Sequence, residues 1–117
     1  MSARAGKPPP NTAPVYAAAM YKDLAVVAMT HGYALAVHGS LARDFDLIAI
    51  PWIDGASEPA AVIDDLLSQF AIRLIGKPAT KPHGRIAYTL SVGFGDCAID
   101  LSFTPRAKVR RPPLVKR

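Results

Sequence analysis

The sequence predicts a single small α/β (α+β) domain, a mixed β-sheet with two helices packed on one face. The length of 117 residues suits one core and is too short for two of ordinary size. Half of the residues are apolar and a fifth are charged, a globular composition. The periodic segments run α-β-β-α-(β)-β-β, and runs of strands broken by helices favour a mixed sheet over a strictly alternating parallel one. No internal repeat interrupts that order.

Residues 1–13 contain Pro8-Pro9-Pro10 and several small side chains, too little apolar surface to offset the entropy of ordering them, so a flexible arm is expected there. The domain is expected over residues 14–103. Residues 14–31 read as the first helix: the stretch is rich in Ala and other helix formers, Pro14 suits a first turn, and Gly32 suits the position just past the end. The apolar runs 33–38 and 45–50 read as strands, the second stopped by Pro51. Asp54-Gly55-Ala56-Ser57 offers a turn and a serine cap. After it Val62, Ile63, Leu66, Leu67 and Phe70 repeat at helical spacing and set a second helix ending near residue 70. Residues 72–75 give a short strand and 76–84 a loop with two prolines and His83. Residues 85–92 and 97–103 read as two strands of a hairpin joined by Gly93-Phe94-Gly95-Asp96.

The net charge of +5 would suggest a nucleic-acid binder if it were spread over the fold. Eight of the fourteen cations lie instead in residues 1–13 and 104–117, leaving six against all nine carboxylates in the body. The basicity therefore belongs to the ends, and residues 104–117 form a basic C-terminal tail that suits either contact with nucleic acid or a solvated end. No apolar run reaches the roughly 18 residues needed to cross a bilayer, and the N-terminal residues lack the apolar stretch of a secretory signal. With Cys97 as the only cysteine, no internal disulfide is possible, and a cytoplasmic protein without membrane contact is expected.

The segment that carries chemistry is His38-Gly39-Ser40-Leu41-Ala42-Arg43-Asp44-Phe45-Asp46. Residues two apart in a strand point to one side, so Asp44 and Asp46 would present adjacent carboxylates while Phe45 and Leu47 face the opposite surface. Their mutual repulsion is relieved by a divalent cation, and hard oxygen ligands suit magnesium or manganese. Asp100 stands alone among apolar neighbours in Ile99-Asp100-Leu101-Ser102-Phe103, where an acid costs free energy unless it is paired or bound to metal. Three such carboxylates on neighbouring strands could hold two metals for in-line attack on a phosphate. Gly39 and Ser40 supply a turn without bulk, whose amides and hydroxyl can approach phosphate oxygens.

In these residues the chain resembles the nucleotidyltransferase superfamily, whose pattern is Gly-Ser, often a nearby Arg, Asp-x-Asp on the next strand and a third Asp later. Gly39-Ser40, Arg43, Asp44-Phe45-Asp46 and Asp100 stand in those places, and the length is closest to the minimal group found in bacterial and phage genomes. The resemblance implies a Mg2+- or Mn2+-dependent enzyme that moves a nucleoside monophosphate from a nucleoside triphosphate to a hydroxyl. Asp44, Asp46 and Asp100 would serve as metal-binding and catalytic carboxylates, and Gly39, Ser40 and Arg43 would hold the nucleotide. It also implies a partner protein, as acceptor or as recognition subunit. Only Leu41, Ala42 and Arg43 separate Gly-Ser from Asp44, a shorter connection than the family pattern. A second expectation follows from it: an inactive binding module of the same fold that engages nucleic acid or a partner protein, with the basic tail as its means.

Other residues carry weaker signals. Arg43 suits a phosphate contact or an ion pair with its aspartates. His38 reads as a core histidine or as a group reaching the site, and His31 as the end of the first helix. Trp52 and Tyr88 suit covering the core edge or stacking on a base. Asp64 and Asp65 suit a solvated helix face, and nothing beside Cys97 would activate its thiol.

Overall fold

A computed structural model describes residues 11–93 and 97–106. Helix α1 (Ala13–Thr30) has Pro14 in its first turn, where a missing N–H costs nothing, and ends at Gly32, whose φ of 88° lies in the left-handed region. A Cβ at Gly32 would sit 2.7 Å from Ile53 Cγ1, so the stop signal is also a packing requirement. Strands β1 (Tyr33–Val37) and β2 (Phe45–Pro51) follow, then α2 (Pro59–Gln69), β3 (Arg73–Thr80), a short 3-10 turn at Pro82–Gly84, β4 (Ile86–Ser91) and β5 (Ala98–Phe103).

The five strands lie in the order β1-β2-β5-β4-β3, with β2 and β5 parallel and the other neighbours antiparallel. This is the expected mixed sheet. Alternation along β2 buries Phe45, Leu47 and Ala49, and along β5 it buries Ile99, Leu101 and Phe103. These pack with Leu24, Val27 and Ala28 of α1 and Val62, Ile63 and Leu66 of α2, so both helices cover one face. Phe103 is held edge-on between Tyr33 and Tyr88, at ring-centroid distances of 5.3 and 5.7 Å. Among the described residues no helix covers the opposite face, with Asp46 and Asp100.

Several local expectations need correction. Residues 76–80 do not begin a loop; they continue β3 as an edge strand. Pro78 falls within the register shift between Ile75 and Ala79, and an edge tolerates a residue without an N–H at such an irregularity. The cap of α2 is not Ser57: the helix starts one residue later, from Glu58, without a side-chain cap bond. Ser57 Oγ lies 2.8 Å from His31 Nδ1 instead, while His31 Nε2 lies 2.9 Å from Asp65 Oδ2. The two helices are thus tied through His31, and Asp65 is a brace and not part of a free solvated face, whereas Asp64 is exposed. Trp52 is 64% exposed and covers no core, while Tyr88 and Cys97 are buried in it.

The N-terminal arm lies outside the described residues apart from 11–13. The hairpin residues 94–96 and the tail from 107 onward also lie outside them. No helix among the described residues is long and apolar enough to cross a membrane.

Candidate active site

The site forms because the parallel pairing of β2 with β5 sets Asp46 directly opposite Asp100. Asp44 is not in the strand as expected but in the bend just before β2, from which its carboxylate still reaches the other two. The three side chains each offer an oxygen within 4.8 Å of the others, and all three are half-buried. Among the described residues no cation pairs with them, since the one ion pair there is His31 with Asp65.

The electrostatics follow from that crowding. Burial raises the Asp100 pKa above the ordinary carboxylate value, and the nearby charges of Asp44 and Asp46 raise it further. Thr89 Oγ1, on the adjacent β4, donates to Asp100 Oδ1 at 3.3 Å and pulls the other way. The net effect is a carboxyl group that holds its proton more tightly than usual.

Gly39 is fixed by the same cluster. Its φ is 81°, and a Cβ there would stand 2.5 Å from Asp46 Oδ2, so the backbone can pass the carboxylate only without a side chain. Leu41, with φ of 57°, makes a second left-handed step in the connection. Ser40 Oγ accepts the Ala42 N–H at 3.2 Å, which closes the short turn locally. Asn11 Nδ2 donates to the Leu41 carbonyl at 2.7 Å, and Thr12 Oγ1 accepts the Cys97 N–H at 3.0 Å. The residues leading into α1 therefore tie down both the Gly-Ser connection and the start of β5. Arg43 is exposed and makes no ion pair among the described residues.

His38 is exposed and not a core residue, and it reaches the site as the alternative expectation had it, but sequence reasoning missed the cations beside the cluster. A cavity of about 220 Å³ on the open face is lined by Asp46 and Asp100 and also by His38, Lys77, Lys81 and Arg85. The signal was present as alternation, in Lys77-Pro78-Ala79-Thr80-Lys81 and Arg85-Ile86-Ala87-Tyr88-Thr89, but reading residues 76–84 as a loop concealed the first half.

No protein-family model matches the chain, and no curated protein matches it. Two solved chains of the Cid1 poly(U) polymerase are similar in structure. The one with magnesium and 3'-dATP bound has a TM-score of 0.51 at 16% identity, over 74% of this chain and 29% of the polymerase chain. The one with MgGTP bound has a TM-score of 0.52 at 15% identity, over 80% and 33% respectively. The chain spans about a third of the polymerase's length or less, and at this identity the likeness is one of fold: the domain has the nucleotidyltransferase fold.

Proposed function

We propose that the protein is a metal-dependent nucleotidyltransferase that moves a nucleoside monophosphate from a nucleoside triphosphate to an acceptor hydroxyl. The convergence of the Asp44, Asp46 and Asp100 oxygens within 4.8 Å carries this reading. Such a set of hard, like-charged ligands fits Mg2+ or Mn2+ better than it fits its own isolation. The bound cation would neutralise charge developing on the transferred phosphate and the leaving group.

In this scheme Asp44, Asp46 and Asp100 would hold the cation, and Asp100 would also orient the acceptor hydroxyl and take its proton. The raised proton affinity of Asp100 suits a base that must accept a proton during the reaction. The acceptor oxygen bonds to the α-phosphorus, the bond from that phosphorus to the bridging oxygen breaks, and pyrophosphate leaves with the electron pair. Gly39 admits the nucleotide close to the carboxylates, and the Ser40 hydroxyl and Arg43 meet its phosphates. The fold shared with a polymerase that binds magnesium and nucleotides is consistent with this assignment.

The small size supports reading the chain as one of the minimal group of bacterial and phage type, working in the cytoplasm with a second protein as acceptor or recognition subunit. The basic tail then gives a contact to nucleic acid. One observation favours a binding module without turnover instead: Ser40 already uses its oxygen on the Ala42 amide within a three-residue connection.

Thermal unfolding with manganese and each nucleoside triphosphate separates the two. A ligand at 100 times its Kd adds about 2.7 kcal/mol, a rise of several degrees for a domain of this size. A rise that needs both metal and nucleotide, and that is lost in Asp44→Ala/Asp46→Ala, supports the transferase. No rise with any nucleotide in a cooperatively unfolding protein removes it.

A further inference from the structure

The six cations in the body of the chain are not scattered. Four of them, Arg73, Lys77, Lys81 and Arg85, fall within thirteen residues, and no carboxylate occurs between Asp65 and Asp96 to neutralise them. The fold brings three of the four to the face that carries the acidic cluster. Lys77, Lys81 and Arg85 line one cavity with Asp46 and Asp100, and its floor between the charges is kept low by Ala79 and Ala87, which pair across β3 and β4.

Arg85 is already aimed along this floor. Its Nη1 donates to Ser102 Oγ at 3.2 Å, and Ser102 is two residues from Asp100 on the same side of β5. Guanidinium carries five N–H donors in a planar fork, so most of its capacity remains for an oxyanion. Lys81 N donates to the Arg85 carbonyl at 2.8 Å, which holds the two basic residues side by side around the 3-10 turn. Among the described residues none of the three is in an ion pair, although the carboxylates line the same cavity. Three like charges on one strip and three opposite ones beside it are relieved together by a ligand whose phosphates meet the cations while a metal-bound phosphate meets the acids.

We propose that Lys77, Lys81 and Arg85 form a phosphate-binding strip beside the carboxylate cluster, taking either the tail of a nucleotide or the backbone of a nucleic-acid acceptor. From β5 to β3 is two strand spacings, about 10 Å, which one phosphate does not span but a polyphosphate or a few linked nucleotides do. The identity of the phosphate rests on the transferase reading. The binding itself does not need the metal.

The test is therefore run in EDTA, with inorganic tripolyphosphate and a short single-stranded RNA as the two probes. The wild type is compared with Lys77→Gln/Lys81→Gln and with Arg85→Gln. Both lysines are exposed, so the double variant keeps its fold, and its unfolding midpoint checks this. At least tenfold weaker binding is expected in the double variant, with the RNA salt slope lower by about 1.4 for two lost phosphate contacts. Arg85→Gln is expected to weaken the same probe. Asp44→Ala/Asp46→Ala is expected to bind it more tightly, because without metal the acids repel it. A loss for tripolyphosphate assigns the strip to the nucleotide, a loss for RNA to the acceptor, and a loss for both to a shared track. Wild-type protein that binds neither probe would overturn the strip. So would unchanged affinities in the lysine variant, including the case where only Arg110→Ala/Arg111→Ala in the tail weakens binding. If manganese and nucleotides give no stabilisation while the strip still binds in EDTA, the transferase reading fails and the strip stands.

Discussion

Two clusters of chemically capable side chains lie on opposite layers of this domain, and they behave in opposite ways. In the helical layer His31, Ser57 and Asp65 have the composition of a nucleophilic triad, with contacts of 2.8 and 2.9 Å. Every member is nevertheless spent on holding α1 to α2. Ser57 N–H donates to the His31 carbonyl at 2.9 Å, and Gln69 Nε2 donates to the remaining Asp65 oxygen at 2.7 Å. On the open sheet face the three aspartates meet mostly each other. The pKa directions record the contrast: hydrogen bonds from Gln69 and His31 lower that of Asp65, whereas burial and the neighbouring aspartates raise that of Asp100. A complementary set completes itself and serves structure, while a set of like charges keeps its repulsion and so suits a cation.

The contrast breaks most visibly if the aspartates are removed. Asp44→Ala/Asp46→Ala is expected to lose the whole metal-and-nucleotide increment, about 2.7 kcal/mol at a 100-fold excess over Kd, with an unliganded midpoint no lower than wild type. Gly39→Ala forces a Cβ against Asp46 and a left-handed backbone on alanine. We expect a loss of about 1–2 kcal/mol in denaturant unfolding and weaker manganese binding. His31→Ala removes the brace, and an unfolding midpoint lower by the equivalent of about 1 kcal/mol should accompany unaltered manganese affinity. A fall in that affinity would mean that the two clusters are coupled.

The smallest effect sharpens the electrostatic half of the comparison. Because the folded-state pKa of Asp100 is raised, the folded protein binds the extra proton, and unliganded stability decreases as pH rises through that pKa. Asp100→Asn should flatten this part of the pH-stability profile and leave the unliganded protein slightly more stable at neutral pH, by less than about 1 kcal/mol because the group is only half-buried. Manganese should reverse the wild-type slope, since the metal favours the ionised form.

Much of the fold was legible because its signals are local. Pro14 and Gly32 bracket α1, the spacing from Val62 to Leu66 sets the buried side of α2, and alternation in β2 and β5 separates Asp46 and Asp100 from the core. The carboxylates could be named in advance because an isolated acid in an apolar strand is conspicuous. The misreadings arose where tertiary context overrides local preference. Gly76 and Pro78 signal a loop, but an edge strand with a register shift accommodates both. Ser57 has the makings of a helix cap, but His31, distant in sequence, provides a closer partner. The basic side of the open face was hidden for the same reason, since Lys77 and Arg85 become neighbours of Asp100 only once β3 and β4 are seen as strands.

The position of β5 also bears on when the site comes into being. As the last strand to leave the ribosome among the described elements, it must slot between β2 and β4, both made earlier. Until then Asp46 faces an empty neighbouring lane, and Asp44 and Asp46 are a mere pair. The capacity to gather three carboxylates around one point therefore arises only once β5 has been made and has paired with β2, so a chain that stops short of β5 lacks the third carboxylate.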